Sequence, residues 1–408
     1  MIVLTGADLV LPDRVLASGT IHIDNGRIVE IKADTQTPAG GPFAFHGHTI
    51  VPGFVDVHVH GALGVDVLDA GDAVAALAAI LPRFGVTAFC PTTVACAPSD
   101  LERVLDQIRR CRESPSSSAA RVLPAHLESN FINPEYRGAQ PISCLRNPAP
   151  SADTGIAADP FSAADLLRVI EQHAPDIAIV TMAPEVDGSL DLVTWLTGLG
   201  IRVSLGHSGA TYDEALAAIA AGARQATHLF NRMPPLHHRQ PGLAGAVLQH
   251  DDVAVELICD GVHVHPALVR MVVAAKTPAR VMAISDATAA AGLDPGSRAT
   301  LGGQPIVASA SCARLDDGTM AGSVTTLDVA FQRLTVDMGL SLVDAAAMCA
   351  TTPSRQLGLV GHGVMAEGAV ADLVVLDRTG AVVQTYIGGR LVYARGMAVG
   401  NSAERPTV

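Results

Sequence analysis

The sequence has little of what would place it at a membrane, on a nucleic acid or in a disulfide scaffold. Hydrophobic residues make up 49% of it. Yet Gly, Pro, Asp or His breaks every apolar run well short of the roughly 18 residues a membrane span requires. Lysine and arginine total 27 against 40 acids, a net charge of −13 that argues against a nucleic-acid or anionic-membrane surface, for which clustered lysine and arginine would be expected. Neither nucleic acid nor membrane is therefore expected as a partner, whereas a small anionic substrate is not forbidden, because one local arginine can outweigh a diffuse field. The cysteines at 90, 96, 111, 144, 259, 312 and 349 are odd in number and include no C-x-x-C pair. That fits neither a disulfide framework nor a thiolate zinc site, and they read as buried thiols. The opening "MIVLTGADLVLPDR" carries acids early and lacks the basic, apolar, small-residue order of a signal peptide, so the chain reads as mature and cytoplasmic.

A chain of 408 residues accommodates two ordinary domains or one barrel-sized domain with a satellite. Residues 1 to 52 read as short strands joined by tight turns, with Asp24-Asn25-Gly26-Arg27 as a hairpin signal. Residues 361 to 408 repeat that style in "ADLVVLD" and "VVQTYIGGRLVYARG", so the two ends are expected to assemble one small β-sandwich. Between them, over 53 to 360, β-branched runs alternate with stretches of helical periodicity such as "SDLERVLDQIRRC", "SAADLLRVIEQH" and "TYDEALAAIAAGA". The candidate strands are "GFVDVHVH", "GVTAFCPTTV", "RVLPAHLES", "DIAIVTMAPE", "IRVSLGHS", "QATHLFN", "VAVELICDGVH" and "RVMAISDAT". Eight strands alternating with helices predict an α/β fold, a TIM-like (β/α)₈ barrel whose chemistry lies at the carboxyl ends of its strands.

Ionisable residues gather at those ends: His58 and His60, His126 and Glu128, His207, His228 with Asn231, Asp260 with His263, and Asp286. Glu185, after the fourth strand, belongs there less clearly. Alternation along a strand puts His58 and His60 on one face, here inward. Imidazoles and carboxylates without thiolates suit zinc, and also iron, manganese or cobalt. A lone histidine such as His207 is more often structural than a ligand, but six such residues at equivalent strand ends are not explained by coincidence. By contrast His22, His46, His48, His173, His250 and His362 lie elsewhere and read as ordinary. A metal with an open position lowers the pKa of its water to about 7 and so supplies a nucleophile. Asp286 beside it would take the water's proton and pass it to the leaving group. The bland alternative makes Asp286 the N-cap of a helix in "SDATAAAG".

The motifs "DVHVHG", "HLES", "GHSGA", "THLFNRM", "PGLAG", "CDGVHVHP" and "SDAT", in that order, resemble the amidohydrolase superfamily, and more narrowly its deacetylases of N-acetylated amino-sugar phosphates. The resemblance implies that Glu128, His207 and His228 hold the principal metal and that Asp286 is the acid/base. It implies that His263, with Asp260 in the same motif, contacts the sugar or the scissile carbonyl, and that Asn231 and neighbouring backbone hold the phosphate. Arg239 would reach the neighbouring subunit's phosphate site, which implies a homodimer. Met320, Ala321 and Gly322 in "TMAGS" resemble a loop that closes over substrate. In "YRGAQP", Ala139 and Gln140 fall where substrate contacts are found, with Gln140 replacing a histidine; it keeps hydrogen-bonding capacity but no ring charge. Glu128-Ser129-Asn130 replaces a familiar Glu-Gly-Pro, and Arg232, where a small residue is common, would add a second phosphate contact. His58 and His60 would hold a second ion bridged by Glu128, since "VTMAPE" offers no lysine to bridge; the count is one ion or two. The implied reaction hydrolyses N-acetylglucosamine 6-phosphate to glucosamine 6-phosphate and acetate, in amino-sugar catabolism or cell-wall recycling. The galactosamine epimer is the near alternative. A cyclic-amide hydrolase or deaminase would need no phosphate, and a barrel kept only as a scaffold would show broken ligands.

Overall fold

In the computed structural model, residues 1–33, 43–149 and 160–396 are described. The N-terminal part forms β1 (Ile2–Val10), β2 (Val15–Asp24), β3 (Arg27–Ala33) and β4 (Thr49–Pro52). The β2–β3 hairpin turns through Asn25 at φ 48° and Gly26 at φ 77°. Two consecutive left-handed residues are what a tight hairpin turn demands, which is why the Asn-Gly pair is legible.

The chain then enters a parallel sheet of β5 (Phe54–Val59), β6 (Val86–Thr93), β7 (Ala125–Glu128), β8 (Ile177–Met182), β9 (Arg202–Leu205), β10 (Gln225–Ala226), β11 (Ala254–Ile258) and β12 (Val281–Ile284). Each pairs in parallel with the next in chain order. The ends meet through a parallel bridge between Val59 and Ala287, and Asp286 N–H donates to His58 C=O at 2.9 Å. The result is the nearly closed barrel expected. Its strands are buried almost throughout, which is why they read as apolar runs rather than alternating ones. Helices cover the outside; Ser162–Asp165 and Thr211–Glu214 form capping boxes at the starts of Ala163–Gln172 and Tyr212–Ala221.

Two local departures shape the site. The register of β5 against β6 slips between Asp56 and Val59, an irregularity next to functional side chains. The sixth strand is only Gln225–Ala226, shorter than "QATHLFN" implied, because His228, Phe230 and Arg232 have φ of 26°, 76° and 53°. Left-handed residues cannot continue a strand, so the chain turns into a loop that carries site residues.

After β12 comes a three-stranded antiparallel sheet that the sequence reading did not foresee: β13 (Arg298–Leu301), β14 (Gln304–Ala308) and β15 (Ala313–Leu315). Its Gly302-Gly303 turn was the available signal. The C-terminal strands β16 (Leu373–Leu376), β17 (Val382–Ile387) and β18 (Arg390–Ala394) then join the N-terminal ones. The order β18-β17-β16-β4-β1-β2-β3 makes one mixed seven-stranded sheet from both ends of the chain.

Asp372, just before β16, ties this sheet to the barrel. It accepts from Arg121 at 3.0 Å, His362 Nδ1 at 2.9 Å and Gly388 N–H at 2.8 Å. Burial alone would raise its carboxyl, but His362, Arg121 and the Gly388 amide hold it below the ordinary carboxylate range. A depressed pKa contributes stability that is present above the unfolded value of about 3.9 and lost as pH falls through the folded value. Asp372→Ala is therefore expected to lower stability near neutral pH by about 3 kcal/mol. The difference from wild type should shrink in acid. Urea midpoints at both pH values check it, and a constant difference would contradict it.

Candidate metal centre

Four imidazoles converge on one carboxylate at the barrel's carboxyl end. Glu128 Oε1 lies 2.8 Å from His207 Nε2 and 2.9 Å from His228 Nε2, and those two nitrogens are 3.1 Å apart. Glu128 Oε2 is 3.4 Å from His60 Nε2, while Oε1 is 3.7 Å from His58 Nε2. Asp286 Oδ1 completes the group at 3.3 Å from His58 Nε2 and 3.2 Å from His60 Nε2. All six residues are buried.

Which nitrogen faces inward is set by what the other does. Nδ1–H of His207 donates to Tyr136 C=O at 2.8 Å, that of His60 to Thr92 C=O at 3.0 Å, and that of His58 to Glu256 Oε2 at 3.0 Å. His228 Nδ1 is a buried atom with no hydrogen-bond partner among the described residues. With these donors turned outward, the Nε2 atoms of His58 and His60, 3.2 Å apart, tolerate one another only with a proton or a cation among the carboxylates. Burial alone would lower both imidazoles. Asp286, with Glu256 and Glu128, instead carries His58 up to about 9, and hydrogen bonds to Asp286 and Glu128 carry His60 to about 10. The Glu128 carboxyl is burdened by burial, yet His207 and its neighbours hold it well below the usual range. Asp286 is likewise held down, against burial, by His58 and His60. This N/O donor set fits divalent metal ions in two overlapping groups, Glu128–His207–His228 and His58–His60–Glu128.

A third cluster, His58–His126–Glu256, does not fit. His126 donates from Nδ1 to Val57 C=O at 2.9 Å and accepts at Nε2 from Thr181 Oγ1 at 2.7 Å. Burial pushes this ring down to about 4, so it stays neutral with both nitrogens committed. It heads a hydroxyl chain, Thr181 to Thr227 at 2.6 Å and Thr227 to Ser204 at 2.6 Å. His126, a strand-end histidine by sequence, is thus structural.

A cavity of about 490 Å³ opens onto this centre, and Ala139, Gln140, Asn231, Arg232, His263, Met320 and Gly322 are among the residues that line it. Asp260 is buried outside the lining and accepts from His263 Nδ1 at 2.6 Å, which leaves the other ring nitrogen free for a ligand. Burial opposes the charged imidazole of His263, but Asp260 raises its pKa on balance. Ala321 is wholly buried and does not reach the cavity; its neighbour Gly322 does, at φ 57°, where a Cβ would stand 2.9 Å from the Asp286 carbonyl oxygen. Arg239 is exposed on the loop after Met233 and is absent from the lining. Gln140 is less a free substrate contact than expected: Ala95 N–H donates to its Oε1 at 2.7 Å, which turns its Nε2 onto Glu128 Oε2 in a short hydrogen bond. Asp286 caps no helix; it sits at φ 46° in the turn after β12.

Sequence reading missed Glu256, Glu135, Tyr136 and Phe230, and undervalued Glu185. Glu256 was findable as a carboxylate inside the buried run "VAVELI". Glu185 accepts from Gly209 N–H at 2.6 Å, Ser208 Oγ at 2.8 Å and Asn133 Nδ2 at 2.8 Å, clamping the loops that carry His207 and Tyr136. Nothing in a single sequence pairs it with those loops.

Residues 49–392 match the amidohydrolase family. The chain is 38% identical over 361 residues to the human N-acetylglucosamine-6-phosphate deacetylase, covering 85% of this chain and 84% of that one. The chain belongs to the N-acetylglucosamine-6-phosphate deacetylase family of amidohydrolases. A mutant of the Mycobacterium smegmatis member of this deacetylase family, solved with N-acetyl-D-glucosamine-6-phosphate, superposes with a TM-score of 0.85 at 33% identity over 96% of this chain and 99% of that one. Identity is also 35% to an N-acetylgalactosamine-6-phosphate deacetylase of Escherichia coli O157:H7, over 84% of this chain and 87% of that protein.

Proposed function

We propose that the chain is a metal-dependent hydrolase that converts N-acetylglucosamine 6-phosphate to glucosamine 6-phosphate and acetate. The observation that carries the reading is the convergence of Glu128, His207 and His228 beside Asp286 at the floor of a substrate-sized cavity. Glu128, His207 and His228 would hold the principal ion, zinc by its donor set, with iron, manganese or cobalt as alternatives. When bound, such an ion polarises the acetamide carbonyl and lowers the pKa of a water to about 7. Asp286 would take the proton of the attacking water and return it to the departing amine. His263, oriented by Asp260, would donate to the substrate. Asn231 and Arg232 face the cavity where a phosphate would be held, and Arg239 would serve the neighbouring subunit of a homodimer. Among the described residues no helix is long and apolar enough to cross a membrane.

The deciding experiment is acetate release from N-acetylglucosamine 6-phosphate, its galactosamine epimer and unphosphorylated N-acetylglucosamine, on protein whose metal has been counted. A strong preference for the first is expected. Preference for the second would reassign the epimer, and turnover of none would remove the sugar while leaving the metallohydrolase. Arg239→Ala should raise KM for the phosphorylated sugar roughly ten- to a hundredfold, the value of one charge-assisted contact, and leave the unphosphorylated sugar unaffected. Equal effects on both would remove the phosphate role. Mixing Arg239→Ala with Asp286→Asn protein tests the trans arrangement. Hybrid dimers regain activity only if one subunit's arginine completes the other's site.

A further inference from the structure

We propose that Glu256 is a positioning residue that makes His58 a ligand for a second divalent ion, beside the one assigned to Glu128, His207 and His228. The proposal rests on the metallohydrolase reading above. Of the four converging imidazoles, His60 and His207 turn Nδ1 toward backbone carbonyls, and His228 Nδ1 has no partner among the described residues. His58 alone is backed by a carboxylate, Glu256 Oε2 at 3.0 Å, with both side chains fully buried. A carboxylate behind an imidazole fixes its tautomer and orientation and raises its basicity as a ligand.

Glu256 is itself held. Its Oε1 accepts from Gln225 Nε2 at 2.5 Å, and its Oε2 also accepts from His228 N–H at 3.3 Å. The carboxylate therefore cannot swing toward the cavity, and its one side-chain outlet to the centre is His58. The ring's Nε2 then points at His60 Nε2, 3.2 Å away, and at Asp286 Oδ1, 3.3 Å away. Charge leads to the same place. Glu128, Glu256 and Asp286 are buried within one cluster of contacts, and a buried carboxylate without a countercharge is expensive. One divalent ion balances two of them. Glu256 is the remainder, and positive charge at His58 meets it, either a proton or a second ion held with His60 and Glu128.

The test replaces Glu256 by glutamine. Three donors, from His58, Gln225 and His228, meet on this side chain; a carboxamide offers one oxygen, so its NH₂ must face one of them. Metal-free protein is titrated with cobalt(II) or zinc(II) alone, and bound equivalents and affinities are read by elemental analysis and by the cobalt absorption bands, without substrate. Wild type is expected to take up two equivalents. Glu256→Gln should keep the tighter one and bind the weaker one roughly 10–100-fold less well. Glu256→Asp, which retains the charge but withdraws it, should fall between them and serves if the glutamine variant does not fold. Two equivalents with unchanged affinities in the variant would overturn the proposal, as would a wild type that holds one ion. Loss of both ions together would mark Glu256 as a structural residue only and also overturn it. A wild type that binds no ion would instead bring down the metallohydrolase reading on which the proposal rests.

Discussion

Replacing Glu128 by alanine is expected to abolish retention of metal and to lower kcat/KM by about a thousandfold or more, because the ion supplies several kcal/mol of transition-state stabilisation. One carboxylate serves every nearby imidazole: Oε1 lies within 2.9 Å of both His207 and His228, and Oε2 faces His60. Without it both ligand groups lose the anion they share, and the Nε2 atoms of His207 and His228, 3.1 Å apart, are left with no carboxylate between them. The Gln140 amide, turned inward by Ala95, would then have no acceptor. Glu128→Gln should lose metal nearly as completely, since a carboxamide keeps the shape and not the charge. Counting metal after dialysis and measuring acetate release on the same sample checks both. An alanine variant that retained a full complement of metal would mean the histidines suffice and that Glu128 is not the hub of the centre.

The barrel was legible because each strand is buried on both faces and so reads as a continuous apolar run, and because chemistry at its carboxyl ends left His58, His60, Glu128, His207, His228 and Asp286 as polar interruptions. Those interruptions are costly in a core, which makes them conspicuous without any coordinates. His126 misled for the same reason. A polar residue at a strand end looks alike whether it binds a ligand or is tied off by Val57 and Thr181. Glu256 was the opposite error, a carboxylate within an apolar run rather than at its end, with its partner 198 positions away. The small sheet from β13 to β15 was overlooked because it interrupts the βα alternation that organises the rest. The role of Gln140 was legible only in part: a substitution by glutamine is visible in sequence, whereas the Ala95 amide that decides which end faces Glu128 is a property of the fold.

Asp286→Asn is expected to lower kcat by roughly 10²–10⁴-fold, the range for removing a positioned general acid or base, with KM and metal content little changed. The substitution preserves the side chain's shape where the backbone is firmly held. Asp286 N–H donates to His58 C=O at 2.9 Å, and its own carbonyl accepts from Ser323 N–H at 2.8 Å. These bonds close the barrel and dock the loop of Met320 and Gly322 over the cavity, and they do not involve the carboxyl group. What asparagine cannot do is accept a proton and give it up again. The geometry lets Asp286 reach both partners of that exchange, since Oδ1 sits 3.3 and 3.2 Å from His58 and His60 while the cavity reaches it from the other side. Steady-state kinetics and metal analysis on one preparation separate the two roles a carboxylate here can have. If kcat falls with metal retained, Asp286 moves protons. If metal leaves in proportion to activity, it is chiefly a ligand, and the proton must be carried by another group lining the cavity, for which His263, oriented by Asp260, is the nearest in kind.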